Sequence, residues 1–335
     1  MVKILVTGSS GGIGSVLVPY LCDKGFEIIG IDLIRPSLQE ENYSNFTFIE
    51  TSIQTCEIPL EPYLKEIEFV IHLAATSSLP ECESNPMEAF QNNFMGTVHL
   101  VDLFSKQKIK RFINASTSAV YEGISELPFR ENMILKPHLV YPQTKLIAET
   151  YLESLGMTRN FPSTSLRFFN VLGPYQSYTR KSPPLLNYLV REYLANRRPV
   201  LHSDGNQKRD YISVYDICTA IELALSLSYE GHDSFNVCSG TALSVKEIDS
   251  YIRTTIKTAL EPVYREPEKL WNDYQDLYNR EYPLKASIVA GETNKTSLGS
   301  SKKFQEASGW QIEYPVEEFI QEICEKAINH LSGSN

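Results

Sequence analysis

None of the six cysteines (Cys22, Cys56, Cys82, Cys218, Cys238, Cys324) stands in a CxxC pair, and no CxxC…HxxxH arrangement occurs. A zinc site and a disulfide framework are therefore not expected, and reduced cytosol is the simplest setting for the chain. Also missing are an apolar run approaching ~18 residues and a basic stretch leading into an apolar one at the start, so neither a membrane span nor an export signal is expected and the expected location is cytoplasmic. Positive charge is in short supply: 31 Lys and Arg face 41 Asp and Glu, a net charge of −10. That argues against nucleic acid or an anionic membrane as the main partner, although a few local arginines suffice to hold a polyphosphate. No internal repeat or low-complexity tract is visible, which sets aside solenoids.

What remains is a chain of 335 residues, 42% hydrophobic and 21% charged, enough for one large domain or two medium ones. Short apolar runs at 3–8 ("KILVTG"), 27–32 ("EIIGID"), 69–74 ("FVIHLA"), 111–116 ("RFINAS") and 163–173 ("STSLRFFNVLG") read as buried strands. Amphipathic stretches such as 12–24 and 87–107 lie between them. Continuous apolar strands alternating with helices predict a Rossmann-type α/β fold, a doubly wound parallel sheet covered on both faces. From about 174 the texture changes: helices at 185–196, 214–228 and 244–257 no longer alternate regularly with strands. The expected organisation is a dinucleotide-binding domain over 1–173, its sheet completed by parts of 204–240, and a smaller mixed substrate lobe over 174–330 on the carboxyl edge of the sheet, where ligands bind in such folds.

"VTGSSGGIG" follows the first strand and opens a helix, placing Gly8, Gly11, Gly12 and Gly14 where glycine permits a tight turn and close approach of a pyrophosphate to free helix N–H groups. The next strand ends at Asp32, 18 residues beyond Gly14, where a carboxylate can hold a ribose diol. Such a carboxylate repels a 2′-phosphate, which favours NAD over NADP despite nearby Arg35. Further along, "YPQTK" sets Tyr141 and Lys145 four apart on one helix face, and Pro142 fits a helix start, where no N–H partner is lost. A phenol of reference pKa near ~10 needs an adjacent cation to serve as a base at neutral pH. Lys145 is such a cation, and Thr117, at the end of an upstream strand, can share or orient the proton.

These residues, in this order, resemble the short-chain dehydrogenase/reductase superfamily, in its extended branch acting on nucleotide sugars. "TGSSGGIG" is similar to the branch's TGxxGxxG, "HLAA" (72–75) to the strand passing the cofactor and "NNFMGT" (92–97) to its NxxGT. "STSAVY" is similar to SSxxVYG, "RFFNVLGP" (167–174) to RxFNxxGP, and "DGNQKRDYISVYD" (204–216) to GDGxxxRDFxxVxD; "FNVCSG" (235–240) and "SGW" (308–310) complete the series.

The resemblance implies NAD as cofactor, held by Gly8, Gly11, Gly12, Ile13, Gly14 and Asp32, with Ser52 and Ile53 at the adenine. It also brings Leu73, Ala74, Ala75, Asn93, Phe169, Tyr141 and Lys145 to the cofactor. The implied substrate is a nucleotide-diphosphate sugar, met by Thr117, Asn170, Leu201, His202 and Arg209. Cys82 falls where a serine is common near the sugar, though a buried small residue is its simpler role. Glu122 replaces the glycine after "VY". The stretch 262–300 is longer and more aromatic than the family's PxRxGD segment, so the second diphosphate arginine falls to Arg280, with Arg265 as the other choice. Dimerisation is implied through helices near 87–107 and 144–156, where Leu100, Leu103, Leu146 and Leu152 fit an interface or a core face equally.

The resemblance implies a first step in which the C4 hydroxyl is oxidised to a 4-ketose. The family's 4,6-dehydratases carry an Asp-Glu pair after the catalytic threonine, and its decarboxylases a glutamate; here Ser118 and Ala119 can supply neither. Subtraction leaves a 4-epimerase, with a 4-dehydrogenase or 4-keto reductase as alternatives and a non-enzymatic NAD-binding sensor as the least favoured.

Overall fold

The computed structural model describes residues 1–36, 43–175 and 181–332. Twelve strands occur among them: β1 (Lys3–Thr7), β2 (Glu27–Asp32), β3 (Phe46–Glu50), β4 (Ile67–His72), β5 (Arg111–Thr117), β6 (Ser163–Phe168), β7 (Asn170–Leu172), β8 (Val200–His202), β9 (Lys208–Ser213), β10 (His232–Val237), β11 (Ala242–Ser244) and β12 (Val263–Arg265). Seven build one parallel sheet in the order β10-β6-β5-β4-β1-β2-β3. The chain winds outward from β1 through β2 to β3, then returns to β4 and winds the other way. The crevice between β1 and β4 is thus the switch point at which open α/β sheets bind ligands.

The apolar runs conceal a two-residue period. Ile4, Val6, Ile28 and Ile71 join one buried cluster, while Leu5, Ile29, Ile31 and Val70 join another. Both faces of the sheet are covered, so every position of β1 is buried and the usual polar alternation disappears. On one face the helices Gly14–Asp23 and Val214–Leu225 pack together, tied by a hydrogen bond from the Tyr20 hydroxyl to Glu222. β10 comes from the expected 204–240 region and forms the outer edge of the sheet.

Two expected elements are broken, each for a packing reason. The run 163–173 splits at Phe169, which is 3% exposed and packs with Tyr121 and Phe129. β7 then leaves the large sheet for a small one ordered β11-β9-β7. The expected helix 87–107 is interrupted by a π-helical turn, Gln91–Met95, between the helices Pro86–Phe90 and Gly96–Ser105. Such turns point inward a side chain that a regular helix would place elsewhere; here it is Asn93, fully buried.

Leu100 and Leu152 are fully buried and Leu103 nearly so, within the core of a single chain. Three of the four positions offered for a dimer interface are therefore core, and on those helices Met87, Met95, Ile147 and Met157 are the exposed large apolar residues. "SGW" has a similar internal role: the Trp310 indole N–H donates to the Asp216 carbonyl at 3.2 Å and to Thr219 Oγ1 at 3.1 Å. All six cysteines are free and buried, and no helix among the described residues is long and apolar enough to cross a membrane.

Candidate active site

A cleft of about 1120 Å³ opens at the carboxyl ends of the central strands. Its floor begins at the glycine turn. Gly8 adopts φ +70°, and a Cβ there would lie 2.7 Å from the Ala74 nitrogen; a Cβ on Gly14 would lie 2.2 Å from the Gly8 carbonyl oxygen. Only glycine closes this turn. Gly14→Ala is therefore expected to displace the turn and abolish dinucleotide binding, read by calorimetric titration with NAD; parent-like affinity would contradict it.

The helix Gly14–Asp23 has no side-chain cap at its N-terminus, and the nearby Ser10 and Ser15 hydroxyls are buried without a hydrogen-bond partner among the described residues. Unpartnered hydroxyls at a glycine-rich turn that opens a helix N-terminus fit the pyrophosphate of a dinucleotide. Asp32 is held in place by the same turn: Oδ2 accepts from the Ser10 amide at 3.0 Å and Oδ1 from Leu33 at 2.7 Å. Gly8, Gly11, Gly12, Ile13, Gly14, Asp32, Leu73 and Ala75 all line the cleft.

Several residues assigned to the cofactor do not reach that wall. Ser52 Oγ accepts from the Gln54 amide at 3.2 Å, and Ile53 is 8% exposed and packs where Gly96 leaves room. Ala74 points its amide at Thr7 Oγ1, 3.2 Å away. Asn93 is a tether: Oδ1 accepts from the Thr76 amide at 2.8 Å, and Nδ2 donates to Thr76 O at 2.9 Å and to Thr144 Oγ1 at 3.1 Å. Thr144 in turn donates to the Tyr141 carbonyl at 2.7 Å.

A second buried chain was not legible in the sequence. Thr7 Oγ1 lies 2.8 Å from His72 Nδ1, and His72 Nε2 lies 3.0 Å from Thr97 Oγ1. The Thr97 hydroxyl donates to the Asn93 carbonyl at 2.7 Å, so it accepts from Nε2–H and leaves Nδ1 to accept from Thr7. Burial, then the Lys145 ammonium, pushes the His72 pKa down to about 3, so the ring stays neutral. The signal available was a lone histidine inside an apolar parallel strand, where it can only be a satisfied core group.

Thr117, Tyr141 and Lys145 meet in the same cleft, with Phe169 and Asn170 beside them. Tyr141 is the second residue of the helix Val140–Arg159, whose first turn accommodates Pro142. Thr117 ends β5 and accepts from the Ala119 amide at 3.1 Å. Lys145 is 2% exposed and donates to the Ala115 carbonyl at 2.9 Å. Burial drives its pKa from 10.5 down to about 8, opposed by Cys82 and Glu149, which leaves it an ammonium at neutral pH. Behind it Glu149 accepts from Ser116 and from both Nε and Nη2 of Arg167. Cys82 is fully buried, its thiol donating to the Thr76 carbonyl at 3.3 Å. A hydroxyl, a phenol and an ammonium beside a dinucleotide cradle are equipped to move a proton on and off an alcohol that is being oxidised.

The far half of the cleft is lined by Leu201, His202, Arg209 and Arg265. β12 pairs with β8 so that Arg265 stands opposite His202; burial, then Arg265, lowers the His202 pKa. Arg209 borders the cleft, but its guanidinium donates to the carbonyls of Lys295, of Glu292 at 2.8 Å and of Thr293 at 3.3 Å. It thereby caps the carboxyl end of the helix Ala286–Asn294, a favourable place for a cation. Arg280 is not in the wall: it bonds Asp276 on the surface, at 2.8 and 3.1 Å. The arginine that 262–300 brings to the cleft is Arg265.

Comparison with known proteins agrees with this geometry. The family model described as NAD dependent epimerase/dehydratase family matches residues 4–238. The UDP-glucose 4-epimerase of Corynebacterium glutamicum is 30% identical over 328 residues, 93% of this chain and 91% of that one. The UDP-glucose 4-epimerase of Bacillus subtilis is 30% identical over 271 residues, 73% of this chain and 79% of that one. The crystal structure of the Thermotoga maritima UDP-glucose 4-epimerase with UDP-glucose superposes with a TM-score of 0.84 at 27% identity, covering 98% of this chain and 99% of that one. With the switch-point cleft, the glycine cradle and a family model spanning the whole sheet in agreement, the chain belongs to the NAD-dependent epimerase/dehydratase family of enzymes, and its cofactor is NAD.

Proposed function

We propose that the protein is a nucleotide-sugar 4-epimerase working through a transient 4-keto sugar. The observation that carries this is the convergence of Thr117, Tyr141 and Lys145 on the cleft that also holds the glycine turn and Asp32. When bound, NAD supplies the acceptor and then the donor of the C4 hydride. Gly8, Gly11, Gly12, Ile13 and Gly14 hold its pyrophosphate, Asp32 its ribose, and Leu73 and Ala75 the ring side. Tyr141 takes the proton from the C4 hydroxyl and later returns it to the C4 oxygen, Lys145 stabilises the phenolate, and Thr117 orients the hydroxyl. Arg265 and Asn170 hold the nucleotide diphosphate, and Leu201 and His202 border the base.

Ala119 places a methyl, not a carboxyl, after the threonine segment, and its amide is used on Thr117. No acid or base is thereby provided for eliminating water across C5–C6, which supports epimerisation over 4,6-dehydration. A net 4-dehydrogenase or 4-keto reductase would use the same groups. The test is a panel of UDP-, dTDP-, GDP- and CDP-sugars, with products separated by chromatography while NADH absorbance is followed. Inversion at C4 without net NADH is expected. Accumulating NADH would make the protein a dehydrogenase, and NAD binding with no sugar consumed would make it a sensor. Assembly as a homodimer over the face bearing Met95 and Ile147 is part of the proposal, and sedimentation at micromolar concentration checks it.

A further inference from the structure

The helix that carries Tyr141 begins at an apolar N-cap, Leu139, which offers no side-chain acceptor. The free N–H groups at such a terminus need partners, and at 139 a serine or aspartate would ordinarily supply one. Leu139 is instead 2% exposed, packed in a cluster with Trp271, Tyr274, Leu277 and Val289 of the long 262–300 stretch. The acceptors come from elsewhere. Glu122 Oε2 accepts from the amides of His138 at 2.8 Å and Leu139 at 3.0 Å. Glu83 Oε1 accepts from Val140, the residue before Tyr141, at 2.6 Å.

We propose that Glu122 and Glu83 are positioning residues for Tyr141: their carboxylates clamp the three amides ahead of it and fix its hydroxyl against Thr117. Glu122 directly follows the turn Ser118–Tyr121, for which Thr117 is the N-cap. One carboxylate therefore joins the segment carrying the threonine hydroxyl to the segment carrying the phenol. This accounts for a glutamate where the family motif has glycine; the glycine conformation moves on by one, to Gly123 at φ +79°. Glu83, near the end of the helix Leu79–Ser84, adds a second tie on the amide immediately before Tyr141. Two carboxylates suit a helix N-terminus, and Arg280 offsets the repulsion that Glu83 feels from Glu122. Arg280 thus has a place outside the cleft wall.

The inference rests on Tyr141 acting as the proton acceptor, so Tyr141→Phe is measured in the same assay. Holoenzyme is prepared as parent, Glu122→Ala, Glu122→Gln, Glu83→Ala and the double alanine variant. Each is followed by kcat and KM on the sugar nucleotide that the parent inverts, by NAD affinity, and by amide hydrogen exchange over 138–146, which needs no substrate. Displacements of about 1 Å at a reacting group can cost up to ~100-fold. The alanine variants are expected to lose 10-fold or more in kcat, with KM and NAD affinity within threefold of the parent and faster exchange over 138–146. Glu122→Gln, whose amide oxygen still accepts both N–H groups, is expected to recover most of the loss. Folded alanine variants with kcat within twofold of the parent and unchanged exchange would overturn the proposal, as would a loss that glutamine does not relieve. If the double variant fails to fold, the Glu122→Ala and Glu122→Gln pair decides by the same criterion. A fully active Tyr141→Phe would instead remove the acid/base reading itself.

Discussion

Tyr141→Phe is expected to lower turnover by roughly 10²–10⁴-fold, the range for loss of a positioned general base, while NAD affinity stays within a few fold of the parent. The ring remains, so the packing of the second residue of the helix Val140–Arg159 is kept and only the proton carrier is removed. Thr117 cannot take over: an aliphatic hydroxyl is far too weakly acidic to be ionised by one ammonium, and its oxygen already accepts from Ala119. Lys145 cannot either, because its amine is fixed on the Ala115 carbonyl. Product formation and calorimetric NAD titration on the same preparation check both halves. Parent-like turnover would show that the phenol is not the base.

Lys145→Met is expected to divide stability from function. The folded pKa of about 8 lies below the ordinary 10.5 because burial disfavours the charge. Below pH 8 folded and unfolded chains both hold the proton, and the fold bears the full cost of the buried ammonium. Between pH 8 and 10.5 the unfolded chain keeps a proton that the fold has released, so stability rises with pH. A drop from 10.5 to about 8 is worth about 3 kcal/mol, and losing the hydrogen bond to Ala115 offsets about 1 kcal/mol of that. NAD-free Lys145→Met should therefore unfold at higher denaturant than the parent at pH 7, by about 2 kcal/mol, and lose that advantage by pH 10.5. The same variant should bind NAD more weakly and move the pH optimum of any residual turnover upward. A variant less stable than the parent at pH 7, or an unmoved pH–rate profile, would contradict the role given to the charge.

The parts of the fold that could be read in the sequence are those where packing forces a pattern. β1, β2, β4, β5 and β6 are continuous apolar runs because helices cover both faces of the sheet. β3 escaped notice: it lies at the edge and is half-buried, so "FTFIE" keeps polar residues. β7, β8, β11 and β12 are three residues each, too short to show a period. The glycine turn, Asp32, Thr117, Tyr141 and Lys145 could be placed because each is tied to the end of a strand or the start of a helix. Asn93, Ser52 and Ile53 stand outside the cleft wall, a placement that a matched segment does not reveal because it depends on the backbone; Asn93 lies on a π turn and donates to Thr144. Arg265 and Arg280 could not be told apart, since the choice depends on which short strand pairs with β8. Arg209 is turned by the helix Ala286–Asn294, whose carboxyl end no motif announced.

The most direct test of the whole account is the fate of hydrogen at C4. The protein is incubated with UDP-glucose carrying deuterium at C4, and with the same label on the other nucleotide sugars of the panel, and the products are read by NMR. Inversion at C4 is predicted, with the deuterium kept there and the hydroxyl proton exchanged. Solvent hydrogen at C4, or no inversion of any sugar offered, would contradict it.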